Sequence, residues 1–186
     1  DRHLFRLLVP SEIPPTVNSV KGAGNLLVVV SDDLAHMPGV TLAALLASLN
    51  QEGARVVPEA EALTLAPQAE NLLFFGFPRS TDLQTLLSSP EGYGLERGVR
   101  GFAFRDKPAG AKLDVLFLTL PNPRGDKGVA AVLQVGPDLG TAAEADAARR
   151  ITHYGRDSFV GFSQGTNRLR GAWPAVDSPL AVEFQP

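Results

Sequence analysis

A G-x-S-x-G run at residues 161–165 places Ser163 between two glycines. In acyl-transfer enzymes, the glycines of such a run form a tight strand-to-helix turn that exposes the serine oxygen as a nucleophile. Residues 166–174 show no helical pattern, and the three histidines, His3, His36 and His153, all precede Ser163. The histidine base follows the serine in enzymes that use this motif. We therefore expect no catalytic residue here, and a small serine esterase-like hydrolase using Ser163 is the alternative.

A second set of candidate residues follows a predicted strand. An apolar run at residues 26–30 is followed by Ser31, Asp32 and Asp33, and His36 lies four residues beyond Asp32. Carboxylates and a histidine at the carboxyl end of a strand lie where open α/β sheets bind ligands, and they suit acid–base chemistry or metal binding. The alternative is that the two acidic residues cap a turn.

A third set, Gly136, Gly140 and Thr141, lies between a predicted strand and a predicted helix. The free N–H groups of a helix N-terminus can hold an anion. The glycine spacing matches neither a dinucleotide-binding fingerprint nor a P-loop, and a turn with a Thr141 or Asp138 helix cap is the favoured interpretation. The candidate residues for a small-molecule or anion site are therefore Asp32, Asp33, Gly136, Gly140 and Thr141.

Alternating strands and helices must position these residues. A continuous apolar run is typical of a strand buried on both faces, and one occurs at residues 26–30. Further buried strands are predicted at residues 71–76, 113–120 and 129–135, with shorter strands at 55–57 and 101–105. Apolar spacing and breakers predict helices over residues 40–51, 81–87 and 142–151. Residues 88–98 are predicted to form a loop, and residues 158–170 are predicted to form a β-hairpin.

These elements predict an α/β fold, with a mostly parallel, doubly wound sheet of the Rossmann or flavodoxin-like kind and a C-terminal antiparallel β-hairpin. The proline-containing residues 1–24 are expected to form an irregular linker or wrapping arm, and residues 25–186 a single α/β domain. Gly155 is expected to end the last helix in the left-handed conformation. Tyr154 and Trp173 are expected at the sheet margin or at an interface.

Composition excludes several classes of function. The 186 residues contain no cysteine, which excludes disulfides, thiolate metal sites and thiol nucleophiles. The formal net charge of −3 contrasts with the basic excess of most nucleic-acid-binding proteins. No apolar run is long enough to span a bilayer, and no H-E-x-x-H zinc motif occurs. We therefore expect no metal, no cofactor, no nucleic-acid partner and no membrane span.

The second half of the chain resembles a known type of domain, over about residues 70–180. The resemblance is carried by residues 129–136, the run His153-Tyr154-Gly155-Arg156-Asp157-Ser158-Phe159, then Gly161-Phe162, Gly165, Asn167, Gly171 and Trp173-Pro174, with Asn122-Pro123 and Ser178-Pro179-Leu180. This pattern is similar to that of non-catalytic α/β domains attached to large extracytoplasmic bacterial peptidases, including aminopeptidase-N-like zinc enzymes.

The resemblance implies an accessory or interaction domain that supports a catalytic module elsewhere in a longer, secreted chain. It assigns no catalytic residue to this chain. The partner it implies is a neighbouring domain of the same parent chain or another protein. Its location would be extracytoplasmic, with a cytoplasmic location as the alternative. No secretion signal or initiator methionine precedes Asp1, and we expect the chain to be a segment of a longer protein.

Overall fold

The computed structural model describes residues 13–34, 39–87, 95–98, 101–104, 113–122, 128–136 and 141–173. Its helices are α1 (Val17–Lys21), α2 (Gly39–Ser48), α3 (Glu59–Leu65), α4 (Thr81–Gln84) and α5 (Thr141–Arg150), with 3₁₀ turns at Asp32–Leu34, Ala66–Gln68 and Ile151–Tyr154. Its strands are β1 (Leu26–Val30), β2 (Arg55–Pro58), β3 (Asn71–Phe75), β4 (Leu95–Gly98), β5 (Gly101–Phe104), β6 (Val115–Pro121), β7 (Val129–Val135), β8 (Phe159–Ser163) and β9 (Thr166–Gly171).

Seven strands form one sheet in the order β2-β1-β3-β7-β6-β8-β9. The first four are parallel, whereas β6 is antiparallel to both β7 and β8, and β9 is antiparallel to β8. Strands β4 and β5 pair as a separate antiparallel hairpin. The structure confirms the predicted α/β class. It also confirms the mostly parallel sheet and the antiparallel C-terminal hairpin.

The sheet has an apolar core on each face, as expected from strands that are apolar along their whole length. All five residues of β3 are buried. On one face the strands pack against residues of α1, α2 and α5. On the other face they pack against residues of α3 and α4 and of the β4–β5 hairpin. None of the described helices is long and apolar enough to cross a membrane.

The irregular backbone expected over residues 1–24 does not hold for α1. Val17 and Val20 of this helix are fully buried, and the N–H groups of Val17 and Asn18 donate to the carbonyls of Asp157 and Gly155, both at 2.9 Å. Residues 17–21 therefore belong to the core, while residues 1–12 lie outside the described residues.

Two further local predictions are wrong. Strand β4 lies within the stretch predicted to be a loop, of which residues 88–94 lie outside the described residues. Gly155 adopts a right-handed conformation, with φ of −54°, instead of the expected left-handed one. Glycine suits this position because a Cβ atom there would overlap the side-chain amide of Asn18.

Trp173 is enclosed by the fold instead of lying at an interface. It is 4% exposed, and its Nε1–H donates to the Thr119 carbonyl at 2.6 Å. Its ring lies 4.6 Å from that of Phe159 and 6.0 Å from that of Phe104, measured between centroids. This packing covers the antiparallel margin of the sheet.

Candidate functional site

The carboxyl ends of three parallel strands meet at one edge of the sheet. Strand β3 lies between β1 and β7, the N–H of Ser31 donates to the Phe75 carbonyl at 2.9 Å, and the N–H of Gly76 donates to the Leu133 carbonyl at 2.8 Å. After β1 the chain goes on to β2, which is the neighbour of β1 at one end of the strand order. After β3 it goes on to strands in the other direction along that order. Such a reversal is where open α/β sheets bind ligands, so this carboxyl edge is the candidate site.

The loops after β1 and β3 are in direct contact. The buried Ser31 hydroxyl donates to the Phe77 carbonyl at 2.9 Å. Gly76 has φ of +92°, and a Cβ atom on it would lie 2.7 Å from the Ser31 Cβ and 2.9 Å from the Leu34 side chain. Glycine at position 76 is therefore required by both conformation and space. The loops after β1 and β3 are therefore packed directly against each other at Ser31 and Gly76.

A buried carboxylate from a third strand end holds the same two loops. Glu59 follows β2 as the first residue of α3 and is 4% exposed. Its Oε1 accepts the N–H of Asp32 at 3.1 Å and the N–H of Arg79 at 3.0 Å. Its Oε2 accepts the N–H groups of Arg79 and Ser80, both at 3.1 Å. Converging backbone N–H groups of this kind form anion sites in proteins, and here the anion is the protein's own side chain.

The candidate acidic residues Asp32 and Asp33 form the 3₁₀ turn after β1, and both are exposed. Asp33 makes an ion pair with the Arg79 guanidinium, which raises the pKa of Arg79 through the hydrogen bond and the opposite charge. The pair is solvent-exposed on both sides, with side-chain exposures of 67% for Arg79 and 47% for Asp33. His36 lies outside the described residues. The described part of the chain contains no group of three His, Asp or Glu side chains that could hold a metal ion.

The second predicted loop is described only at its ends. The N–H of Gly136 donates to the Asp114 carbonyl at 2.7 Å, at the end of β7. Thr141 is the first residue of α5, whereas Asp138 and Gly140 lie outside the described residues. Gly136 therefore shares the carboxyl edge with Ser31 and Gly76, and the anion site predicted with Gly140 and Thr141 stays a prediction.

Ser163 does not occupy a strand-to-helix corner. It is the last residue of β8, and Gln164 (φ 48°) and Gly165 (φ 71°) form the turn that leads into β9. His153 is exposed in the 3₁₀ turn after α5, while His3 and His36 lie outside the described residues. Within the described ranges, the Ser163 hydroxyl makes no hydrogen bond to a side chain that could act as its base. The bend at residues 163–166 thus joins two antiparallel strands.

A depression of about 460 Å³ lies at the opposite, amino edge of the sheet, between the starts of β1 and β2. Its wall includes Gln51, whose side-chain amide donates to the carbonyls of Val20 and Ala23 at 2.9 Å, and Arg55, which pairs with Glu61 at 2.6 Å. These polar groups are thus engaged within the protein. Among the candidate residues that the structure describes, none lines this depression.

Sequence reasoning missed Glu59, the residue that organises the carboxyl edge. Its signal was an acidic side chain directly after a short strand, in Val57-Pro58-Glu59. The same signal at Asp32 and Asp33 was read as a candidate ligand set, so the pattern by itself does not distinguish an internal acceptor from a ligand-binding carboxylate.

No family model matches the chain, and no curated protein or solved structure compared with it matches either. The geometry of the site and the resemblance in the second half of the sequence are therefore the evidence that bears on function.

Proposed function

We propose that this chain is a non-catalytic α/β accessory or interaction domain, and that it forms part of a larger secreted bacterial peptidase. The observation that carries the non-catalytic part is the engagement of Glu59. The backbone donors of Asp32, Arg79 and Ser80 lie where a ligand of an open α/β sheet would bind, and an internal carboxylate already occupies them. A site whose donors are filled by the protein itself favours a structural role for this edge.

The setting of the serine motif supports the same proposal. A serine nucleophile needs a base within hydrogen-bond reach of its oxygen. Ser163 ends a strand in a β-hairpin and has no such partner among the described side chains. The hairpin accounts for the two glycines that flank Ser163. Leu169 and Leu113 pack closely over Gly161 in the strand, and Gly165 takes the positive φ of the turn.

The residues of the resemblance have structural contacts, which fits an accessory domain. Ser158 is fully buried, its N–H donates to the Gly171 carbonyl at 2.7 Å, and its hydroxyl accepts the N–H of Trp173 at 3.1 Å. Asp157 and Gly155 accept the first N–H groups of α1. This part of the pattern joins the last strands to the start of the described chain, and it contributes to packing instead of chemistry.

The finer fold class is also part of the proposal. The order β2-β1-β3-β7 with parallel strands, together with helices packed on both faces, supports a doubly wound, flavodoxin-like arrangement. The antiparallel strands β6, β8 and β9 extend that sheet on one side.

A reaction test addresses the non-catalytic claim. The 186-residue chain is incubated with fluorogenic peptides and with p-nitrophenyl esters, and is labelled with a fluorophosphonate probe. We expect no turnover and no labelling. Turnover or labelling that is lost in Ser163→Ala and kept in Ser19→Ala would establish the alternative, a serine hydrolase, and would end this proposal.

The peptidase part is tested on the complete reading frame. We expect it to encode a zinc-peptidase module beside this domain, and we expect that deleting residues 1–186 lowers the stability or secretion of that enzyme while the zinc site is retained. A reading frame without any peptidase module would overturn the assignment.

One observation favours a second candidate, a small-molecule or anion-binding domain. The ends of β1, β3 and β7 bring Ser31, Gly76 and Gly136 to one edge. Thermal-shift measurements with phosphate, nucleotides and amino acids test this candidate. Stabilisation by phosphate or a nucleotide that is lost in Arg79→Gln, which removes an exposed cation of this edge, would favour it over the accessory role.

A further inference from the structure

The positive charge of the chain is concentrated near its last described strands. Residues 149–170 contain five arginines and one aspartate, a formal charge of +4, which leaves −7 for the other residues of a chain whose net charge is −3. Four of these arginines are exposed, and we call them the arginine face: Arg149, Arg156, Arg168 and Arg170. This separation of charge is a feature that the fold itself does not require.

Contacts between helix, 3₁₀ turn and strand bring the segments carrying the arginine face together. The Arg170 guanidinium lies 5.8 Å from the centroid of the Tyr154 ring, and the Arg150 guanidinium lies 5.2 Å from that of Phe162. The two rings are in edge contact at 5.8 Å. An aromatic pair therefore lies between two guanidinium groups, and it joins the end of α5 and the 3₁₀ turn to β8 and β9.

Acidic side chains of the described residues leave most of the arginine face without an ion pair. Arg149, Arg156 and Arg168 make no ion pair or side-chain hydrogen bond within the described residues. Arg170 has a loose contact with Asp157, 3.8 Å between Nε and Oδ2, and its side chain is 63% exposed. Arg150, in contrast, is engaged by the Gly165 carbonyl and by Asp146. The planar donor groups of the four exposed arginines are thus available to carboxylates outside the domain.

Protection of a sheet edge does not account for this arrangement. Exposed charges on an edge strand discourage pairing with other strands, and Arg168 and Arg170 lie on β9, the last strand of the sheet. Arg149 lies on α5 and Arg156 follows the 3₁₀ turn, so half of the face is on other elements. Edge protection therefore accounts for at most the two arginines of β9.

We propose that the arginine face is the docking surface for a short acidic polypeptide segment of a partner domain. The inference rests on the proposed function, because an accessory domain acts through such a partner. A short acidic segment suits four arginines that lie within 22 residues of sequence and are accompanied there by one aspartate, Asp157. A long polyanion, such as a nucleic acid or an anionic membrane, would also meet the acidic remainder of the chain and be repelled.

Binding of labelled decaglutamate to the 186-residue chain, followed by fluorescence anisotropy at low ionic strength, tests the proposal. We expect saturable binding that weakens at about 0.15 M salt, because exposed charges are screened. In Arg156→Glu/Arg170→Glu we expect binding about tenfold weaker. The matched control is Arg55→Glu/Arg97→Glu, which changes the net charge by the same amount elsewhere and should stay within about twofold.

Three outcomes would overturn the proposal: no saturable binding by the natural chain, equal losses in the two double variants, or tighter binding of single-stranded DNA or phosphatidylserine vesicles than of decaglutamate. Arg156 makes no ion pair or side-chain hydrogen bond within the described residues, so Arg156→Glu alone, with its fold checked by circular dichroism, separates a loss of binding from misfolding. Enzymatic turnover by the chain would refute the proposed function without changing decaglutamate binding, so the two failures are distinguishable.

Discussion

The carboxylate of Glu59 accepts the backbone N–H of Arg79 with both of its oxygens, at 3.0 and 3.1 Å. The two residues are 20 positions apart and belong to the ends of β2 and β3, which are separated in the sheet by β1. The same carboxylate also accepts the N–H of Asp32 after β1. One side chain therefore joins three strand ends.

We expect Glu59→Ala to lower the free energy of unfolding by about 2–4 kcal/mol, because it leaves the N–H groups of Asp32, Arg79 and Ser80 without their acceptor. Glu59→Gln keeps one acceptor oxygen and should cost about half as much. Urea unfolding followed by circular dichroism measures both. The control is Glu61→Ala, which removes an exposed ion pair with Arg55 and should change stability by less than about 1 kcal/mol. Equal losses at positions 59 and 61 would contradict the junction.

We expect Gly76→Ala to be destabilising by about 3 kcal/mol. The positive φ disfavours any side chain, and the new methyl group would press on Ser31 and Leu34. Gly53→Ala is the matched control, since a Cβ atom there meets nothing within 4 Å and the backbone φ is not positive. Thermal unfolding of the two variants compares them. A Gly76→Ala protein as stable as Gly53→Ala would show that the loops after β1 and β3 are not in contact.

The central strands were predictable because they are mostly apolar. The strands predicted at residues 26–30 and 71–76 coincide with β1 and, except for Gly76, with β3, whose two faces are both covered. Helix α1 was not predictable in this way, since five residues beside prolines carry little helical signal. It depends on burial of Val17 and Val20 and on carbonyls of residues 155 and 157, which are distant in sequence.

The candidate site was predictable in its location and not in its chemistry. The candidates Asp32, Asp33 and Gly136 follow strands whose carboxyl ends lie at one edge of the sheet, as the parallel arrangement predicts. The role of Glu59 depends on contacts 20 to 27 positions away. No local pattern contains that information.

We expect Trp173→Phe to lower the free energy of unfolding by about 2–3 kcal/mol. The change removes the Nε1–H donor of the Thr119 carbonyl and part of a ring packed against Phe159. Circular dichroism is the suitable probe, since Trp173 is the single tryptophan and the variant lacks its fluorescence. Tyr154→Phe is the control, because the Tyr154 hydroxyl makes no hydrogen bond within the described residues. A loss below about 0.5 kcal/mol for Trp173→Phe would mean that the indole is not enclosed.

Arg150 fastens the β8–β9 turn to α5. Its Nη1 donates to the Gly165 carbonyl at 2.6 Å, its Nη2 pairs with Asp146 at 2.7 Å, and its guanidinium lies over the Phe162 ring. We expect Arg150→Met to cost about 2 kcal/mol, because a charged hydrogen bond and a cation–π contact are both lost. Arg150→Lys should cost about 1 kcal/mol, since lysine keeps the charge without the planar donor geometry.

Amide hydrogen exchange distinguishes this local role of Arg150 from a general effect on stability. In Arg150→Met, exchange in β8 and β9 should accelerate more than exchange in β1 and β3, because the hairpin turn loses its attachment while the centre of the sheet is unchanged. Arg149→Met, the change at the exposed neighbouring position, should leave both rates as they are. Uniform acceleration across the sheet would contradict a local clamp, and it would place the contribution of Arg150 in the core packing beneath Phe162.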